Sequence, residues 1–426
     1  MSIPSSAKWG LVAMFFITSF LYLCVPDNAQ TAAGSLSEKF LMNAQGARSF
    51  LKQRTTCFLK ACFNISSLST GLFLETIFQF CLSKEIEMNF GETKLDDPLI
   101  HIAVVACGDR LEETLISIKS SLMFTKRSIF YHIFTEEELR SGFIDGIESW
   151  PERYRSNLQY QLYPISYPED GNAKNWKKLF KPCASQRLFL PMVLSKDIDS
   201  IIYVDTDIIF LTDVFQLWSI FTKFNSTQLS ALSIEHEDKR MGWYSRFARH
   251  PYYGITGVNS GVMLMNLTRI RKVRYKNDIK PSLMMWKDML LPLYNKYRYN
   301  ITWGDQDLLN IVFHHNPDML YVFSCEWNYR PDHCMYGQLC KIAKDTGVKV
   351  VHGCRRVYHN EKQPTFKAVY ETIKSYKFED ELHYLNQVME RNLKETENTY
   401  CGKEYESILK GLSQNIEQLN DSMLID

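Results

Sequence analysis

The chain has 426 residues, is 45% hydrophobic and carries a formal net charge of +1. That length and apolar content bury a large core in one big α/β domain or two smaller ones, while the near-neutral balance excludes the broad basic field of a nucleic-acid binder. Eleven cysteines without any CxxC spacing argue against the common zinc modules and for disulfides.

Residues 1–8 form a short tail ahead of an uncharged stretch, Trp9 to Val25, which is long enough to cross a bilayer. Lys8 precedes the stretch and Asp27 follows it, so the positive-inside rule predicts a cytosolic tail, a signal anchor over 9–25 and a luminal remainder. The competing reading is a cleaved signal peptide, but no small-x-small site follows the apolar run directly. On either reading the bulk of the chain lies in an oxidising compartment. Beyond Cys24 the remaining ten cysteines form an even set, and Cys325, Cys334, Cys340 and Cys354 lie close enough in sequence to be bridged among themselves. Asn64, Asn225, Asn266, Asn300 and Asn420 head Asn-x-Ser/Thr sequons. Asn266 has a second use as the cap of a helix starting at Leu267.

Residues 26–96 read as a luminal stem, although 51–82 carries three cysteines and apolar clusters with the spacing of an amphipathic helix. From Leu99 strands and helices alternate. Leu99 to Cys107 reads as a strand, 111–124 as a helix with Leu115, Ile118 and Leu122 on one stripe, Ile129 to Phe134 as a strand, 136–142 as a helix, and Leu158 to Ile165 as a third strand. The βαβ repetition predicts a mostly parallel sheet flanked by helices, with its ligand site at the carboxyl ends of the strands. The domain spans 97–385, and a charged helical tail follows over 386–426, with Cys401 placed to tie it back.

Within this domain Ser200 to Leu211 is an apolar, β-branched run punctuated by Asp205 and Asp207. Residues two apart in a strand project to the same face, and two adjacent carboxylates raise each other's pKa unless a cation compensates. A hard divalent metal at a strand end is the economical explanation, against a bland one in which the acids are solvated or pair with Lys and Arg. Arg187, on the helix before this run, either pairs with an acid or a phosphate or is an ordinary surface arginine. Gly257 to Gly261 supplies small residues, including Asn259, for close backbone approach to a ligand. Gly304-Asp305-Gln306-Asp307 places two acids and an amide at a helix start, where Asp305 suits the N-cap. His352 ends a short strand and offers a third metal ligand. The aromatic segment Trp243 to Tyr253, with Arg246 and Arg249, fits either an acceptor surface or packing.

In combination and in order, the strand His101 to Cys107, Arg187 before Leu188-Phe189-Leu190-Pro191, Asp205-Thr206-Asp207, Asn259-Ser260-Gly261, Gly304 to Asp307 and His352 resemble glycosyltransferase family 8 over roughly residues 99 to 370. Trp303 to Asp307 and Val351 to Arg356 bring the chain nearest to that family's glucoside xylosyltransferases. The resemblance implies a GT-A type, Rossmann-like fold and a single-pass type II membrane protein of the Golgi or endoplasmic reticulum. The implied reaction is retaining transfer of xylose from UDP-xylose to O-linked glucose on EGF-like repeats of the Notch type. It further implies Mn²⁺ held by Asp205, Asp207 and His352, Ala106 and Cys107 near the uracil, Arg187, Asn259 and Lys362 near the donor, and Asp305 and Gln306 at the transferred sugar. The family ending His-x-x-Gly-x-x-Lys-Pro-Trp is not reproduced here, which leaves His352 and His359 as rival ligands and the reach of Lys362 open. Transfer of a different UDP-sugar is the near alternative. A haloacid-dehalogenase-type phosphohydrolase with Asp205 as nucleophile, and a luminal sugar-binding scaffold without turnover, are the distant ones.

Overall fold

A computed structural model of the protein describes residues 98–167, 183 and 185–423. The tail, anchor and stem expected over 1–96, and the sequon at Asn64, lie outside these residues. Among the described residues no helix is long and apolar enough to cross a membrane.

Strand β1 (Ile100–Ala106) leads through Gly108 into helix α1 (Leu111–Met123). Acids Glu112 and Glu113 in the first turn of α1 suit its positive end, and Ile118 and Leu122 are buried against the sheet. β2 (Ile129–Thr135) follows, then α2 (Arg140–Glu148), β3 (Leu158–Pro164), α3 (Gln186–Val193), β4 (Ser200–Val204), β5 (Ile208–Phe210) and β6 (Ser230–Ile234). The helix expected over 136–142 is a 3₁₀ turn at Glu137–Leu139 that continues as α2. Next come α4 (Trp243–Phe247), β7 (Val258–Asn266), α5 (Leu267–Lys272), a hairpin of β8 (Arg274–Tyr275) and β9 (Met284–Met285), α6 (Trp286–Tyr297) and α7 (Asp305–His315). The chain ends through β10 (Leu320–Val322), α8 (Lys341–Thr346), β11 (Val350–His352), α9 (Pro364–Ser375), α10 (Leu382–Lys394) and α11 (Tyr405–Met423).

The central sheet has seven strands in the order β10-β6-β7-β4-β1-β2-β3. Four of its six pairings are parallel, and β7 runs antiparallel to both of its neighbours, which makes the sheet mixed. β1 shows why it lies in the middle of a covered sheet. Ile100, Ile102 and Val104 pack on one face with Ile118 and Phe143, whereas Ala103 and Val105 pack on the other with Leu188, Leu290 and Leu308. A third core joins α9, α10 and α11 to Ile209 and Val351 of the small antiparallel sheet β5-β11.

The run Ser200 to Leu211 is therefore two strands in two sheets, not one strand. β4 pairs with β1 and β7; the chain then turns at Asp205-Thr206-Asp207, and β5 pairs with β11. The carboxylates occupy the break, where their polar groups are not enclosed in a ladder.

The cysteine expectation is corrected in detail. Cys325 bridges Cys340, but Cys334 bridges Cys401, and Cys354 has no disulfide partner among the described residues. The Cys334 bond does tie the C-terminal helices to the domain. A further bridge joins Cys107 at the end of β1 to Cys183 ahead of α3. Asn266 caps α5 as its sequence position suggests, its Oδ1 accepting the Arg269 N–H at 2.8 Å.

Candidate active site

Asp205 ends the β4 side of the break and Asp207 begins the β5 side. The register His352↔Ile208 sets the last residue of β11 beside them. One ligand atom from each of Asp205, Asp207 and His352 lies within 4.8 Å of the others. Nε2 of His352 is 3.3 Å from Oδ1 of Asp207 and 3.8 Å from Oδ2 of Asp205. His359, the rival ligand, is not in this group; its Nε2 faces Glu113 Oε2 at 2.8 Å. Burial pushes the Asp207 carboxyl up, but the neighbouring His352 and Arg110 outweigh it and hold the pKa below its ordinary value.

The proton on His352 can be assigned from its surroundings. The Gly261 N–H must donate, and it does so to Asn259 Oδ1 at 3.0 Å. That oxygen also accepts from Asn328 Nδ2 at 2.8 Å, so Asn328 Oδ1 faces His352 Nδ1 at 2.8 Å as an acceptor. Nδ1 therefore carries a proton, and Nε2 is the ring nitrogen turned toward the two carboxylates. Two carboxylates and an imidazole with its second nitrogen pinned fit a divalent cation that accepts oxygen and nitrogen donors. Gly261 is part of the cradle: a Cβ there would lie 2.2 Å from Cε1 of His352. Asn259 thus spends its side-chain oxygen on holding the cradle. Asn328 had no sequence signal, because its neighbours in the chain, Trp327 and Tyr329, are buried packing residues.

Arg187 is not a surface arginine. It is 6% exposed, pairs with Asp205 at 3.0 Å and with Asp305, donates to the Ser260 carbonyl, and lies over the Tyr203 ring. Its charge is spent on two acids. Burial pushes Asp305 up to about 6, with Arg187 pulling the other way. The N-cap of α7 is Gly304 with φ 77°, not Asp305. A positive φ places Asp305 at the first helical position with its carboxylate toward Arg187.

Gln306 is held at both ends of its amide. Oε1 accepts from the Ser260 N–H at 3.0 Å, and Nε2 donates to the Tyr244 hydroxyl at 3.2 Å. Tyr244 in turn donates to Asp307 at 2.7 Å, and Asp307 also accepts the N–H groups of Thr302 and Trp303 at 2.6 and 2.8 Å. The aromatic segment therefore splits: Tyr244 is buried under the site, whereas Trp303 is 47% exposed and meets Trp243 edge-on at 5.7 Å.

Ala106 is fully buried at the carboxyl end of β1, and its carbonyl accepts from Thr135. Cys107 is committed to its disulfide, so it offers no thiol to a ligand. Lys362 is exposed, and its backbone N–H donates to Asn360 Oδ1; among the described residues it is not one of the groups gathered around the acids. Glu113, which no sequence pattern singled out, links Arg110, Thr206 and His359 beside them. Just past His352, Arg355 and Arg356 have φ of 63° and 60°. Left-handed backbone at two consecutive non-glycine residues costs about 1–2 kcal/mol each.

The family model of glycosyl transferase family 8 matches residues 101–355. Glucoside xylosyltransferase 1 of Gallus gallus is 56% identical over 322 residues, which cover 75% of this chain and 73% of that protein. The Homo sapiens glucoside xylosyltransferase 1 is 54% identical over 318 residues, 74% of this chain and 71% of that protein, and glucoside xylosyltransferase 2 of Mus musculus is 53% identical over 327 residues, 76% and 73%. The crystal structure of mouse xyloside xylosyltransferase 1 in its apo form covers 61% of this chain and 99% of its own at 18% identity and a TM-score of 0.44. A family model over more than half of the chain and relatives above 50% identity displace the phosphohydrolase and scaffold readings. The chain belongs to glycosyl transferase family 8 and is a glycosyltransferase enzyme.

Proposed function

We propose that the protein is a retaining glucoside xylosyltransferase that moves xylose from UDP-xylose onto glucose O-linked to EGF-like repeats of the Notch type. The observation that carries the reading is the Asp205-Asp207-His352 group at the carboxyl edge of the sheet, in a chain 56% and 53% identical to glucoside xylosyltransferases 1 and 2. On this reading 97–385 is the catalytic domain in a GT-A type arrangement, facing the lumen of the Golgi or endoplasmic reticulum behind the anchor at 9–25. Three disulfides among the described residues suit that compartment.

Asp205, Asp207 and His352 hold a divalent cation, Mn²⁺, which when bound supplies Lewis-acid charge to the leaving diphosphate. Ala106 and Cys107 line the uracil side through their backbone. Asp305, fixed by Arg187, orients the donor sugar. Gln306, with its oxygen on Ser260 and its amide nitrogen on Tyr244, is held beside the donor sugar and is no nucleophile. Without a nucleophile, the acceptor oxygen bonds to the anomeric carbon on the face the leaving group departs from. The anomeric bond to phosphate breaks, and the acceptor hydroxyl proton passes to the leaving phosphate. Trp303, Trp243 and the exposed Phe247 offer aromatic faces for the acceptor glucoside.

The test is a donor screen on a glucosylated EGF-like repeat with Mn²⁺, read by product mass. A pentose increment dependent on metal is expected. A hexose increment would reassign the donor, and UDP release without any increment on the repeat would remove the acceptor.

A further inference from the structure

The turn that follows β11 holds two consecutive arginines in a strained backbone. Arg355 and Arg356 both adopt left-handed φ and ψ, a conformation that glycine takes freely and that arginine holds only against a steric penalty. Neither side chain is buried by the turn: their side-chain exposures are 47% and 56%. Strain of this kind persists where the surrounding structure holds it and is concentrated at ligand sites.

The turn lies at such a place. Arg356 is four residues past His352 and reaches Asp109, at 2.6 Å, in the turn at the carboxyl end of β1. The next residue, Arg110, holds the buried Glu113, which accepts the Thr206 hydroxyl of the acidic break. The Arg356–Asp109 pair thus ties together the two loops that flank the Asp205-Asp207-His352 group.

Of the four arginines here, three are committed. Arg187 is buried between Asp205 and Asp305, Arg110 is held by the buried Glu113, and Arg355 pairs with Asp332, whose side chain is only 17% exposed. Arg356 rests on Asp109, which is 61% exposed and which Arg110, held chiefly by Glu113, also approaches at 3.7 Å. An ion pair between two exposed side chains contributes little and exchanges readily. A diphosphate brings more charge and presents paired oxygens that match a guanidinium fork.

We propose that Arg356 is a diphosphate-binding residue: it leaves Asp109 when a nucleoside diphosphate enters and pairs with the phosphate oxygens opposite the cation-binding carboxylates. This rests on the sugar-nucleotide reading above and adds to it the residue that takes the leaving charge. The strained turn is what aims the guanidinium across the loop gap, and the ion pair with Asp109 parks it there in the free enzyme.

The experiment compares the full-length wild type with Arg356→Gly and Arg356→Gln, measuring UDP binding by calorimetry with Mn²⁺ present and the thermal midpoint of each protein. Both variants are expected to bind UDP about ten-fold more weakly. Arg356→Gly is expected to melt no lower than the wild type, because glycine relieves the left-handed strain, so its loss of affinity is not a folding defect. Unchanged UDP affinity in both variants, with the wild type binding UDP normally, overturns the proposal while leaving the sugar-nucleotide reading intact. A wild type that binds no UDP overturns that reading as well.

Discussion

His352 donates its Nδ1 proton to Oδ1 of Asn328 at 2.8 Å, and this one contact decides which nitrogen of the ring faces Asp205 and Asp207. Asn328 is fully buried and is itself fixed by Asn259 and Ser233. The imidazole is therefore delivered to the acid pair in a single tautomer, without a search over ring flips.

Removing that orienting group should weaken cation binding before it weakens the fold. Asn328→Ala is expected to lower Mn²⁺ affinity by about 10- to 100-fold, the usual effect of losing a partner behind a metal-ligating histidine. Titration calorimetry with Mn²⁺ alone checks this. Unaltered affinity would mean that His352 needs no orientation or is not a ligand.

Gly261 should tolerate no side chain. A methyl group there would stand 2.2 Å from Cε1 of His352, so Gly261→Ala must push the imidazole off the acids or bend β7. Overpacking of a closely fitted site costs about 1–3 kcal/mol. The expected result is a lower denaturation midpoint together with at least a ten-fold loss of transfer, while the same change at the open Gly108 site, where a Cβ meets nothing, spares His352.

The buried Asp305 gives a pH signature with a definite sign. Its folded pKa of about 6 lies above the ordinary value of 3.8, so folding favours the protonated form. Its contribution is fully present below pH 3.8 and is lost as pH rises through 6. The stability difference between the wild type and Asp305→Asn should therefore fall by up to roughly 3 kcal/mol between pH 4 and 6. Urea melts of the two proteins at several pH values measure it; a difference that does not vary with pH would show that Asp305 is ionised throughout.

Tyr244 should act on rate more than on donor affinity. Its hydroxyl passes a hydrogen bond from Gln306 to the buried Asp307. Tyr244→Phe keeps the ring beneath Gly257 and removes only that link, leaving an unpaired Asp307 oxygen and a Gln306 amide free to swing. A fall in kcat of about ten-fold with little change in the KM for the sugar-nucleotide donor is expected, in line with loss of an orienting contact. A change confined to KM would place Tyr244 in donor binding instead.

Much of this site is written in local chemistry. Asp205 and Asp207 stand out because carboxylates interrupt an apolar β-branched run, and the alternation from Leu99 onward marks strands and helices through their different periods. Gly304 to Asp307 announces a helix start in the same way. These signals name residue types and elements, since they depend only on neighbours in the chain.

What the tertiary structure decided is which of those residues meet. Setting His352, and not His359, beside the two acids required the β5-β11 pairing, a contact between segments about 140 residues apart that no period reports. The burial of Arg187 between two acids, the partition of the cysteines and the service of Asn328 and Tyr244 behind the site follow from the same cause. A hydrogen bond from a distant segment leaves no pattern in the chain around it. The sequence by itself marked out the sheet-edge acids and the family they belong to; only folding set His352 beside them, fixed the proton on its Nδ1, and held Arg356 in a conformation that arginine does not take unaided.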